Sequence, residues 1–255
     1  MKPIAVIPLN DPSGIVLPHL KAVVPSLKSS FAKVFGSVTA VTPKEVVHWC
    51  KADPFFDLIF HESPVSIGED FLTLYANAAK SSHPNQILHL CFPDRLAFAL
   101  QSCYRGAFFE DVNSIKSDCV PLIFTRSPSA WATHPQNYYE FEQVVTRTGE
   151  HLFEKTLDFA WCHIVFEAHQ LLEILPKVKS RDLSCMAELV LAVRDEVTIK
   201  EVDWLSWEDP FVLGVDALEL KQEREQSVFE VHKRLNYVIA MLQLLKDASM
   251  ERNFS

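Results

Sequence analysis

Ile87-Leu88-His89-Leu90-Cys91, followed at once by Phe92-Pro93-Asp94-Arg95, is an apolar run closed by proline and two charged residues. A run this short, bounded by turn chemistry, reads as a buried strand with a polar tip. The same pattern recurs on both sides of it. Ile4 to Leu9 is a strand run ended by Asn10-Asp11-Pro12-Ser13-Gly14, and Ser37 to Val41, Asp57 to Phe60 and Val120 to Thr125 are three more. Helical stripes separate them: Leu20, Val24, Leu27, Phe31 and Phe35, then Phe71 to Ala79, then Leu96 to Phe109. Pro18 suits a first helical turn, whereas Pro25 is expected to kink its segment or split it in two.

Strand and helix alternating every 20–30 residues or so predict an α/β fold, a mostly parallel sheet covered by helices. Ligands of such sheets bind outside the carboxyl ends of the strands. That rule directs attention to Asn10-Asp11, His61-Glu62, Asp94-Arg95 and Arg126. Beyond residue 126 the pattern is mainly helical, with helices expected over Tyr138 to Leu157, Phe159 to Leu175 and Ser184 to Val193. A last helix carries Val228, Val231, Leu235, Val238, Leu242 and Leu245, a stripe read as core packing rather than a coiled-coil seam. No linker interrupts the chain, so residues 1–255 are expected to form a single domain.

The composition excludes several classes. The formal charge is −9, with 24 Lys and Arg against 33 Asp and Glu, a poor balance for coating nucleic acid or an anionic membrane. Only six glycines are present, and there is no Walker A, G-x-G-x-x-G, H-E-x-x-H or G-x-S-x-G motif. The six cysteines form no C-x-x-C, and no signal-like or membrane-spanning stretch is read, so a cytoplasmic protein with buried free thiols is expected. His163 and His169, read on one helix, lie about 240° apart and share no face for zinc.

Several polar groups carry two readings each. Asp94 at a strand tip can hold a divalent cation or a ribose hydroxyl, with Arg95 on a phosphate; it is equally a helix cap with a salt bridge. Asn10-Asp11 can receive a nucleoside or simply make a turn. Arg126 and His134 can neutralise a diphosphate, or belong to an ordinary loop turned by Pro135. Asp203, Glu208 and Asp209 beside Trp204 and Trp207 suit sugar chemistry, since carboxylates move hydroxyl protons and indoles pack on ring faces. The alternative is an acidic surface loop pinned by two buried tryptophans. Arg224, Glu225, Glu230, Lys233 and Arg234 read most simply as a solvated, ion-paired helix face.

Together, the opening strand with Asn10 to Gly14, Leu90 to Arg95, Thr125 to Pro135, Glu142, Asp203 to Pro210 and the helix from Arg224 to Leu235 resemble uncharacterised proteins of the nucleotide-diphospho-sugar transferase (GT-A type glycosyltransferase) kind. The resemblance implies a nucleotide-binding α/β half over residues 1–126 and a mainly helical, acceptor-side half over 127–255. It implies a nucleotide-sugar donor and an unidentified acceptor. Asn10, Asp11, Arg95, Arg126 and His134 would bind the nucleotide, Asp94 and Asp203 a Mg²⁺ or Mn²⁺ ion, and Glu208 and Asp209 would serve catalysis. The family's cation-binding motif is Asp-x-Asp, and Phe92 stands here in the place of its first aspartate. That departure allows a second expectation, a non-catalytic nucleotide- or sugar-binding protein on the same scaffold.

Overall fold

The computed structural model describes the backbone of residues 1–253 and the side chains of residues 1–250. Seven strands form one sheet: β1 (Ile4–Pro8), β2 (Val34–Val38), β3 (Phe56–Phe60), β4 (Ile87–Cys91), β5 (Leu122–Arg126), β6 (His163–Glu167) and β7 (Thr198–Val202). Their order is β3-β2-β1-β4-β6-β5-β7. All pairings are parallel except those of β6, which runs antiparallel to both β4 and β5. The expected α/β class with a mostly parallel sheet is therefore observed.

Helices α1 (Val16–Ser30), α2 (Lys44–Lys51), α3 (Ile67–Lys80), α4 (Pro93–Gln101) and α5 (Arg105–Asn113) connect the first five strands. Seven more follow: α6 (Pro128–Thr133), α7 (Gln136–Phe153), α8 (Ala168–Ile174), α9 (Cys185–Val193), α10 (Asp209–Leu213), α11 (Ala217–Gln226) and α12 (Val228–Asn253). One face of the sheet packs on α1, α2, α4 and α5 through Leu20, Leu27, Cys50, Leu96 and Phe108. The other packs on α3, α7, α8, α9 and α12 through Leu74, Tyr75, Leu171, Leu189 and Leu245. Covered on both faces, β1, β2, β4 and β6 bury all five of their residues. Burial on both sides is why β1 and β4 read as mainly apolar runs rather than alternating ones.

The chain lays β2 and β3 outward from β1 and then returns to place β4 on the other side of β1. The carboxyl ends of β1 and β4 thus adjoin at the reversal point, where a crevice opens in such sheets. Antiparallel β6 adds a second consequence. Cys91 and Phe124 both stand opposite His163, so the segment entering β6 lies at the same edge as the tips of β4 and β5. Arg126 pairs with Val202, which delivers Asp203 onward to that edge too.

The structure corrects five expectations. Phe159 to Leu175 is not one helix, because β6 and α8 share it; Ile164 and Val165 are β-branched, and a five-residue run carries no helical period. The polar edge strand β7 leaves only Val202 buried and gave no apolar signal. The second strand lies at Val34–Val38, not Ser37 to Val41, since α1 ends at Ser30 and Phe35 belongs to the sheet. Helix α1 runs through Pro25 unbroken, held by Leu17, Leu20, Val23 and Leu27 against the core. Leu96 to Phe109 divides into α4 and α5, with Ser102 extended between them. No described helix is long and apolar enough to cross a membrane.

Candidate functional site

A cleft follows the carboxyl edge in three adjoining chambers of about 240, 800 and 340 Å³. The first is walled by Asp11, Ser66 and Asp70 and shares Asn10, Ile67, Phe92 and Asp94 with the second. The second adds Glu142, Trp161 and Cys162 and shares Arg95, Glu208, Lys233 and Arg234 with the third. The third adds Trp207, Asp209 and Arg224. Gly68 holds one rim in place, because a Cβ there would stand 2.4 Å from the backbone of Arg181 and push away the Asp182-Leu183 segment.

The groups at the strand tips bond mainly to their own helices. Asp11 accepts the Ile15 and Val16 N–H groups at 3.0 and 2.8 Å, capping α1. Asp94, in the first turn of α4, accepts the Arg95 N–H at 2.8 Å. Burial pushes its carboxyl above the usual range, although Arg95 opposes the shift. Arg95 is ion-paired to Glu208, whose carboxyl burial pushes up to about 8, with Arg95 again opposing. Arg95 Nη1 also lies 3.3 Å from His134 Nε2. An arginine only donates, so Nε2 accepts and Nδ1 carries the proton toward the Ala130 carbonyl 3.0 Å away. Burial, with Arg126 and Arg95 nearby, pushes the His134 pKa down and keeps the ring neutral.

Behind these tips runs a network of long-range bonds. Arg126 donates to Glu142 Oε2 and to Cys162 Sγ, both at 2.9 Å, and lies 3.9 Å from Asp158. Glu142 also accepts from Arg234 at 3.4 Å. Arg234 stacks on Tyr138 and donates to the Tyr237 hydroxyl at 2.8 Å. Tyr138 in turn donates to Glu230 at 3.0 Å, and Glu230 pairs with Arg224. Arg126 is buried, and its neighbouring carboxylates and thiol hold its pKa above normal despite desolvation.

The structure brings Asn10, Asp11, Asp94, Arg95, Glu208 and Asp209 to one cleft. Two other expected residues stand behind its wall. His134 supports Arg95, and Arg126 lines a separate groove of about 530 Å³ with Trp131, Tyr139 and Asp158. Asp203 lines none of the three chambers; its Oδ1 is held by the Ser127 and Ser129 hydroxyls at the start of α6. Those bonds pull its pKa down. Of the paired readings, the turn holds for Asp11, whose carbonyl accepts the Gly14 N–H at 3.0 Å, and Asp94 lies in the first turn of α4 but Phe92 is its N-cap; both side chains also face the cleft.

His163 and His169 do not share a helix. His163 is in β6, and with His89 and Cys91 it forms the one group of three possible ligand residues among the described residues, their ligand atoms within 4.8 Å. The two rings hydrogen-bond each other at 2.9 Å among Phe31, Phe124 and Trp204. Burial pushes both pKa values down, that of His89 to about 3, so this is a neutral core pair.

The helix face expected to be solvated is instead half of the site. Glu230 and Arg234 are buried or nearly so, and Lys233 and Arg234 line two chambers. The signal was present: Glu230, Arg234, Tyr237, Met241 and Leu245 follow one helical face that changes from polar to apolar. The apolar stripe is correspondingly split, with Val238 and Leu245 in the core and Val228 70% exposed. Compared with models of known protein families and with curated proteins, the chain matches none.

Proposed function

We propose that the cleft binds a nucleotide-diphospho-sugar, in a glycosyltransferase-like protein of the nucleotide-diphospho-sugar transferase type. The observation that carries this reading is the continuity of the three chambers across the β1–β4 reversal point. A nucleoside would lie by Asn10, Asp11 and Asp94, its diphosphate beside Arg95, Lys233 and Arg234, and its sugar toward Trp207, Glu208 and Asp209. The chamber sizes suit a ligand of that length. Glu208, whose carboxyl burial pushes up to about 8 against the pull of Arg95, can take up a proton once Arg95 turns to the phosphate, and then hand it to an anionic leaving group or hold an acceptor hydroxyl. Titration with UDP-, GDP-, CDP- and dTDP-sugars, followed by Trp207 fluorescence and thermal melting, tests the reading. One donor should raise the melting temperature by several degrees. No response to any of them sinks it.

A second reading, a binder without turnover, is favoured by the Arg95–Glu208 pair itself, since the proposed acid is already engaged. Release of free sugar or transfer to an acceptor, lost in Glu208→Gln, decides for the enzyme.

A further inference from the structure

We propose that this cleft neutralises a bound diphosphate with Arg95, Lys233, Arg234 and Arg224 and requires no divalent cation to hold it. The inference rests on the nucleotide-diphosphate reading above and concerns what balances that ligand's charge.

A divalent cation of the Mg²⁺ or Mn²⁺ kind needs carboxylate oxygens that are free to converge. Of the acids lining the cleft, Asp209 alone makes neither a hydrogen bond nor an ion pair, and the others, Asp70 with His61 among them, are engaged. Phe92 occupies the place of a first aspartate, and its ring packs 5.7 Å from Phe71 and 6.3 Å from Trp161 in an apolar layer. Asp94 and Asp11 accept backbone N–H groups at helix starts, and Asp182 accepts that of Ser184 at 2.8 Å. Glu142 lies between Arg126 and Arg234, Glu208 is on Arg95, and Asp203 is turned to two serines outside the cleft. Among the described residues, no group of three ligand atoms within 4.8 Å includes any of these acids. The residues present do not fit the cation.

Apart from the Glu208 and Asp70 oxygens, which are held by their ion-pair partners Arg95 and His61, the cleft's unused hydrogen-bonding capacity lies in donors. The Nε–H groups of Arg224 and Arg234 are buried and without an acceptor. A buried donor left unmade costs about 1–3 kcal/mol, more on a charged group, so such donors mark where an acceptor belongs. Lys233 is 61% exposed at the mouth and 3.9 Å from its nearest acid, Glu230. That oxygen, Glu230 Oε2, already accepts from Tyr138. Phosphate oxygens, which only accept, would meet Lys233 and the N–H groups that Arg95, Arg224 and Arg234 do not spend on Glu208, Glu230 and Glu142. Two of the four cations, Arg234 and Lys233, are neighbours on α12 and line the same two chambers as Arg95. Together they surround the boundary between the chambers, where the diphosphate of the proposed donor would cross.

The test is calorimetric titration of the full chain with UDP, GDP, CDP and dTDP, in EDTA and again with Mn²⁺. The expected result is that at least one nucleoside diphosphate binds, with affinities in the two conditions agreeing within about threefold. Its affinity in EDTA should fall at least tenfold in Lys233→Ala, recover in Lys233→Arg, and decline with added salt, as an exposed charge requires. Lys233 supports little of the fold, so the variant's melting temperature serves as its folding control. Binding that needs Mn²⁺, or an unaltered affinity in Lys233→Ala, overturns the inference and leaves the nucleotide-site reading standing. Failure of every nucleoside diphosphate in both conditions overturns the two together.

Discussion

Two groups of charged side chains meet at the same sheet edge and are held in different ways. At the tips of β1 and β4, Asp11 and Asp94 bond to backbone N–H groups within five residues of themselves. Behind β5, Arg126, Glu142, Arg234, Tyr138 and Glu230 bond to one another, across separations of up to 92 residues, and to Cys162, Tyr237 and Arg224 beside them. A carboxylate at a helix start stabilises one turn and keeps its outer face open to a ligand. A carboxylate shared between two arginines is part of the fold, because it is the one acceptor that both reach, Asp158 standing 3.9 Å from Arg126 alone. The first group is where a ligand can be touched, and the second keeps the place where it is touched.

The largest expected effect is in the second group. Glu142→Ala leaves Arg126 and Arg234 facing each other without their shared acceptor, and should cost about 3–5 kcal/mol in urea unfolding. A loss under 1 kcal/mol would erase the contrast drawn here.

Next comes a pH dependence from the link between the two groups. Glu208 titrates at 4.5 ordinarily and near 8 when folded, so between those values the folded state holds the extra proton. The Glu208 contribution to stability should therefore fall as pH rises, by up to about 1.4 kcal/mol per unit. Asp158, pushed by burial to about 6, contributes in the same direction only below that pH. Below about pH 7 the buried neutral histidines His89, His134 and His163, which ordinarily titrate at 6.5, pull the other way, so the Glu208 slope is read from pH 7 to 8, and unfolding of Glu208→Gln should show it flattened there. A slope that persists in the variant places the titration elsewhere.

Asp11→Ala should cost about 1 kcal/mol, the usual worth of a helix cap, with the sheet intact by circular dichroism. A loss several times larger would mean that the tip group is as deeply built in as the network. Smallest of all, Lys233→Ala should change stability by no more than about 0.5 kcal/mol, as expected for an exposed side chain with one 3.9 Å contact.

The layered order of the first half was legible because local rules act there. Ile4 to Leu9 is apolar throughout and Ile87 to Cys91 is apolar but for His89, since both faces are covered, and their tips carry turn residues whose bonds are local. Strand β6 escaped because Ile164-Val165-Phe166 is as compatible with a buried helix as with a strand. Strand β7 escaped because an edge strand with one covered residue has little apolar pattern to show. The same limit hid the cleft's far wall. Glu230 and Lys233 form an unremarkable i, i+3 pair in the chain, and nothing local says that the helix carrying them packs against α7.

By itself, then, the order of residues determined the α/β class, the strands up to β5 within a few positions, and the polar tips Asn10-Asp11 and Asp94-Arg95, all through interactions spanning a few residues. Only the tertiary structure decided that β6 runs backward, that Asp203 turns to Ser127 and Ser129 instead of toward Asp94, and that Glu142 joins Arg126 to Arg234. These are contacts between distant segments, chosen by which buried charges can reach a partner, and the reach is a property of the packed chain.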